Sequence, residues 1–168
     1  THDHGNIYPT LADYHAPFHQ LLMEMAERSG QLIACTDERY AANFLHAYPG
    51  QKLSYGLEPG TNYGAVNIQL GNPAAHQPTQ FDLLVGYDVH PNFTTHELGR
   101  HTVQNICGAA ACLLGQNLLS PNEFRDAVAC FQGLNRRLDR KAQDSRLVIY
   151  EGFGSSYEKA RAAIDAIR

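Results

Sequence analysis

The sequence predicts an α/β fold, a parallel sheet with helices plus a small antiparallel β subdomain. Three features predict it. The hydrophobic period alternates between strand-like and helix-like from Leu11 to Leu57. Strand-like runs then gather between Thr61 and Leu98 around a polar loop, GNPAAHQPTQ. Beyond them, segments of helical period carry recognisable start signals.

Taken in order, LADYHAPFHQLLMEMAER (11–28) has apolar residues near helical spacing, with Pro17 marking a break or a start and Gly30 an end. QLIACT reads as a short buried strand. After Asp37, ERYAANFLHAY reads as a second helix stopped by Pro49-Gly50, and KLSYGL as the next strand. This β–α–β order argues for parallel pairing. GAVNIQL and FDLLVGYDV are strand-like, and FTTHEL adds a third candidate, which together form the antiparallel part. VQNICGAAACLLGQNL is a helix whose thin, alanine-rich face suits close packing on a sheet. In SPNEFRDAVACF, Ser120 stands as N-cap, Pro121 at the first helical position and Glu123 at the third, a capping box. SRLVIYEGF is a buried strand, and SYEKARAAIDAIR a helix opened by a serine cap.

The 168 residues suffice for one domain, or one domain and the start of another. A net charge of −4 leaves no electrostatic footprint for nucleic acid or an anionic membrane. The longest apolar run, ICGAAACLLG, is too short to span a bilayer, and no basic-then-apolar leader opens the chain. Cys35, Cys107, Cys112 and Cys130 lack C-x-x-C spacing, and three sit among apolar, helix-like neighbours. Reduced, buried thiols in a cytoplasmic protein are the expectation.

Four constellations carry chemistry. His2-Asp3-His4 combines imidazole and carboxylate and can hold a divalent ion, or serve as a polar terminal loop. In LGRHTVQN, a helix start carries His101, Thr102 and Asn105, which can read a purine edge or simply cap the helix. FQGLNRRLD sets Arg136 and Arg137 after a glycine, where fixed positive charge can clamp phosphate oxygens or stand solvated in a turn. LVIYEGFGSSYEKA ends a strand in a glycine-rich turn before a helix, either an anion-receiving turn or a plain junction. No G-x-x-x-x-G-K-[ST] phosphate loop occurs.

The order and spacing of these motifs say more than any one alone. D-H near the start, G-R-H-x-x-x-N-x-x-x-A-A, F-x-G-L-x-R-R-L and a final strand–turn–helix resemble the Mur ligase family over nearly the whole chain. The resemblance implies the second half of that family's central ATPase domain in 1–145, then a hinge strand and the first helix of its C-terminal ligase domain in 146–168. It implies ATP and Mg²⁺ as cofactors, with UDP-N-acetylmuramate and an amino acid or peptide joined through an acyl phosphate in peptidoglycan biosynthesis. By the same resemblance His4, with Asp3 beside it, holds Mg²⁺. Asn105 contacts adenine with His101 and Thr102 beside it, and Arg137, with Arg136, meets the ATP phosphates. Within the family, D-H-G-N-I-Y-P-T-L and Leu138 lean toward the branch that joins murein tripeptide, with the L-alanine-adding branch second.

Three departures accompany the resemblance. The phosphate loop that opens the central domain is absent, so the chain by itself is expected to be inactive. Thr102 replaces the family's asparagine. Gly152 replaces the hinge aspartate that contacts nucleotide, leaving Glu151 as the acidic residue that takes over that contact or a hinge of altered chemistry. A non-catalytic nucleotide- or metal-binding module built on the same fold is the alternative reading.

Overall fold

Helix α1 (Leu11–Glu27) starts at a reciprocal cap: Thr10 Oγ1 accepts from the Asp13 N–H at 3.1 Å, and Asp13 Oδ2 accepts from the Thr10 N–H at 3.0 Å. The helix runs straight through Pro17 instead of breaking there. Proline forfeits one backbone hydrogen bond, and α1 is held by side-chain contacts instead. The His15 ring lies 4.7 Å from Tyr40 and the His19 ring 4.8 Å from Phe44, both partners on α2 (Arg39–Ala47). The chain is seen here as a computed structural model describing residues 5–72, 75–134, 137–143, 147–152, 154 and 156–167.

One five-stranded sheet forms the body, in the order β1 (Gln31–Cys35), β2 (Gln51–Tyr55), β3 (Tyr63–Gln69), β4 (Thr79–Val85), β5 (Asp88–Thr95). β1 and β2 pair in parallel from Gln31↔Gln51 to Cys35↔Tyr55, as the β–α–β reading expects. β3 joins β2 at a single parallel bridge, Tyr55↔Tyr63. The antiparallel part is therefore continuous with the parallel sheet. It is built from a hairpin that the sequence reading ran together: FDLLVGYDV is not one strand, because Gly86, at φ +62, turns the chain between β4 and β5. FTTHEL is the far end of β5 and not a separate strand. β1 has a strand partner on one side only, so it is a sheet edge among the described residues.

Helices α3 (Arg100–Leu113) and α4 (Pro121–Cys130) cover one face. Phe81, Leu83, Phe93, Val103, Cys107, Ala110, Ala111, Phe124 and Val128 are buried there in one cluster. Ala110 and Ala111 are fully buried, which lets α3 lie close on β3, the role expected of its alanine-rich face. α4 begins at the expected capping box between Ser120 and Glu123. Of the cysteines, Cys107 alone is buried. Cys35 is half-buried and Cys112 and Cys130 are exposed, because the apolar neighbours of the last two face the sheet while the thiols do not. All four are free.

The last elements are a two-stranded antiparallel ribbon, β6 (Arg137–Gln143) with β7 (Val148–Gly152), and α5 (Tyr157–Ile167). β6 was not expected as a strand: RLDRKAQ is too charged to show a strand pattern, and its pairing comes from β7.

A carboxylate ties the strand ends together. Asp37, just past β1, accepts from the Leu57 N–H at 2.7 Å, the Glu58 N–H at 3.0 Å and Gln104 Nε2 of α3 at 2.7 Å. Gly56 makes room for it, since a Cβ there would lie 2.3 Å from Asp37 Oδ1. Burial pushes the Asp37 pKa up, but these hydrogen bonds and the Arg100 charge outweigh it and hold the carboxyl below its ordinary value.

Three expectations for stability follow from this packing, each read from denaturant midpoints. Leu83→Ala, in the fully buried centre, should cost about 2–5 kcal/mol. Ser120→Ala should cost about 1 kcal/mol through the lost cap. The Asp37 contribution is fully present above the unfolded carboxyl pKa and is lost as pH falls through the depressed folded value. Asp37→Asn should therefore lower stability near neutral pH and flatten the acid limb of the stability–pH curve.

Candidate functional site

The segment between β5 and α3 faces the β6–β7 ribbon across a polar cleft of ≈ 300 Å³. His96, Glu97 and Leu98 form one wall, and Gln132, Gly133 and Leu134 the floor. Arg137, Asp139, Arg140 and Tyr150 supply the ribbon side. Two guanidinium groups in one polar cleft suit a phosphate-bearing ligand. Gly133 sits at φ +82, a conformation that favours glycine, and it packs against the flexible end of the Glu97 side chain. Burial pushes the Glu97 carboxyl up from its ordinary value.

The start of α3 is equally constrained. Gly99, at φ +85, is its N-cap, and no side chain caps the helix. A Cβ on Gly99 would lie 2.6 Å from the Ala166 Cβ of α5 and 2.8 Å from His101 Nδ1. The terminal helix is thus seated on the turn that opens α3.

The residues singled out from sequence fall as follows. Arg137 lines the cleft, and the residue opposite it in the ribbon register is Gly152. His101 is half-buried, and burial lowers its pKa, which favours the neutral imidazole. Thr102 Oγ1 donates to the Leu98 carbonyl at 2.8 Å, so its hydroxyl proton is used locally. Asn105 is exposed on the second turn of α3. These three stand on the helix that follows the cleft wall, and none is among the residues lining the cleft. Glu151 meets Lys141 Nζ at 3.1 Å across the ribbon. Arg136, His4, Asp3 and His2 lie outside the described residues. Among the described residues, no group of three or more His, Cys, Asp or Glu side chains could hold a metal ion.

Asp37, Gln104, Glu97 and Arg140 were not picked out from the sequence. Asp37 had a usable signal, since an acidic residue directly after a buried parallel strand lies where α/β sheets gather their ligands and loops. Glu97 had none, because it meets Gly133 from 36 positions away in sequence.

A larger and more open depression of ≈ 490 Å³ lies beside α2, lined in part by Lys52, Ser54, Glu58 and Asn62. Three of these side chains are already engaged. Lys52 Nζ donates to the His46 and Tyr48 carbonyls, and Ser54 and Asn62 hydrogen-bond each other. The smaller cleft, with its two arginines, is the better candidate despite its size. Among the described residues, no helix is long and apolar enough to cross a membrane.

No family model matches the chain. Curated relatives do. The chain is 25% identical over 166 residues to the UDP-N-acetylmuramate–L-alanine ligase of Solibacter usitatus, covering 99% of this chain and 34% of that protein. It is 26% identical over 186 residues to the enzyme of the same name from Roseiflexus sp., covering 99% of this chain and 38% of that protein. Both carry the name of the branch placed second by the motifs. Among solved structures, the UDP-N-acetylmuramate–alanine ligase of Thermotoga maritima superposes with a TM-score of 0.74 at 13% identity, over 98% of this chain and 35% of that one. MurF from Acinetobacter baumannii gives 0.70 at 22% identity, over 82% and 29%. The folylpolyglutamate synthetase of Lactobacillus casei shares the fold at a TM-score of 0.60. In line with the resemblance read from the motifs, the chain is similar to Mur ligases over the third or so of their length that it spans.

Proposed function

We propose that the protein carrying this chain is an ATP-dependent, ADP-forming carboxylate–amine ligase of peptidoglycan assembly, and that the chain supplies one wall of its nucleotide site. The observation that carries this reading is Arg137 lining a polar cleft against the segment that opens α3, in a chain similar to Mur ligases along its length. ATP would phosphorylate the carboxylate of a UDP-N-acetylmuramate-type substrate to an acyl phosphate, and an incoming amine would displace phosphate to form the amide. Such a transfer asks the protein mainly for position and for fixed positive charge at the phosphoryl group.

In this proposal Arg137 provides that charge and Arg136 assists it. Gly133 and Gly99 allow the backbone turns that bring the cleft wall and α3 together. Asn105 meets the adenine, with His101, whose neutral form burial favours, beside it. The Mg²⁺ that accompanies ATP would add charge at the phosphates. His4 and Asp3 are its proposed ligands, and they lie outside the described residues. The proposed division of labour sets 1–145 as nucleotide-binding domain and 146–168 as the hinge strand and first helix of the next domain. The names of the relatives favour L-alanine as the amine, while the D-H-G-N-I-Y-P-T-L start favours murein tripeptide.

The complete protein should release ADP when given Mg-ATP, UDP-N-acetylmuramate and one of these two amines, followed by coupled ADP detection and mass spectrometry of the amide. Arg137→Ala should lower kcat roughly 10²–10³-fold with its fold intact. Nucleotide binding without ADP formation from either amine would favour a non-catalytic module, and no nucleotide binding at all would refute the cleft assignment.

A further inference from the structure

Among the described residues, Glu97 is the one acidic group of the cleft without a partner. Its half-buried carboxylate lines the cleft and has no hydrogen-bond or ion-pair partner among the described residues. Its backbone N–H is occupied with Thr95 Oγ1 at 3.2 Å, which fixes the residue while leaving the carboxylate oxygens free. A half-buried carboxylate keeps part of its hydration and is stabilised further when a ligand supplies donors to it. The carboxylate end of Glu97 packs against Gly133, whose φ of +82 favours glycine there. The other acidic groups of the neighbourhood are committed elsewhere: Asp139 and Glu151 both meet Lys141 Nζ, at 2.5 and 3.1 Å. The ribbon position facing Arg137 is Gly152 and carries no acid.

The charge pattern limits what can meet Glu97. Ionised carboxylate oxygens only accept, so the ligand must present donors. Arg137 and Arg140 in the same cleft disfavour a cationic ligand and favour one bearing phosphate. An adenine edge offers one donor group beside an acceptor, a poor match for two acceptor oxygens. A neutral vicinal diol offers two O–H donors at carboxylate spacing, as in dinucleotide folds where an acidic side chain reads a ribose. We propose that Glu97 is a specificity-determining residue of this cleft, accepting hydrogen bonds from the 2′- and 3′-hydroxyls of the bound nucleotide's ribose. The assignment rests on the cleft being the nucleotide site, as proposed above.

Calorimetric titration of the complete protein with Mg-ATP and with Mg-2′,3′-dideoxyATP tests it. The unsubstituted protein should bind ATP at least about tenfold more tightly than the dideoxy analogue, the worth of one charge-assisted hydrogen bond. Glu97→Ala should weaken ATP by a similar factor and leave the dideoxy analogue unchanged, so that the preference disappears. Glu97→Gln, nearly isosteric, should narrow the preference as well, and matched melting curves would verify that both variants fold. If the unsubstituted protein binds ATP and either variant keeps the full preference, the role of Glu97 is refuted while the nucleotide cleft stands. If the unsubstituted protein binds neither nucleotide, both assignments fall together.

Discussion

The local geometry of the sheet end depends on the Asp37 carboxylate. It follows β1, takes two backbone N–H groups from the turn after β2 and a third hydrogen bond from Gln104 on α3. Two parallel strands and a helix 67 positions away in sequence are thereby fixed relative to one another at one end of the sheet. Backbone donors there would otherwise stand unsatisfied in a half-buried turn. The bond to Gln104 anchors the second turn of α3 to the sheet end, five residues past the Gly99 turn and the cleft wall before it.

On the far side of Gly99 the chain makes a different arrangement of charge. Around Asp37 every acceptor is satisfied, and the region is structural. In the cleft, Glu97 has no partner among the described residues, in a space also lined by two arginines. A carboxylate and arginines lining one cleft suit a ligand carrying both donors and negative charge. The Ala166 methyl of α5 lies against the Gly99 turn on the same side.

Much of the architecture was legible in the sequence, for identifiable reasons. The β1–α2–β2 unit declared itself through hydrophobic period and the Pro49-Gly50 stop, and α4 through its capping box, both local signals. The β4–β5 hairpin was misread because Val85-Gly86-Tyr87 continues an apolar run across the turn, hiding a positive-φ glycine inside what looks like one strand. β6 was missed because its charged side chains face solvent and its partner lies beyond the segment. Pro17 was read as a break or a start because a propensity argument does not see the ring contacts that dock α1 on α2. At the candidate site, Arg137 was legible from its motif, whereas Glu97 and the Asp37–Gln104 bond depend on contacts between distant parts of the chain that no local pattern announces.

The central claim is that the segment opening α3, together with the Gly133–Arg137 approach to the ribbon, forms a nucleotide site. Hydrogen exchange followed by mass spectrometry, on the complete protein with and without ADP, addresses it directly. The account predicts slowed exchange in peptides covering Glu97–Asn105 and in those running from Gln132 into β6, with peptides around Lys52–Asn62 unchanged. Slowed exchange confined to the Lys52–Asn62 depression, or no change in the α3-opening segment at saturating ADP, would contradict it.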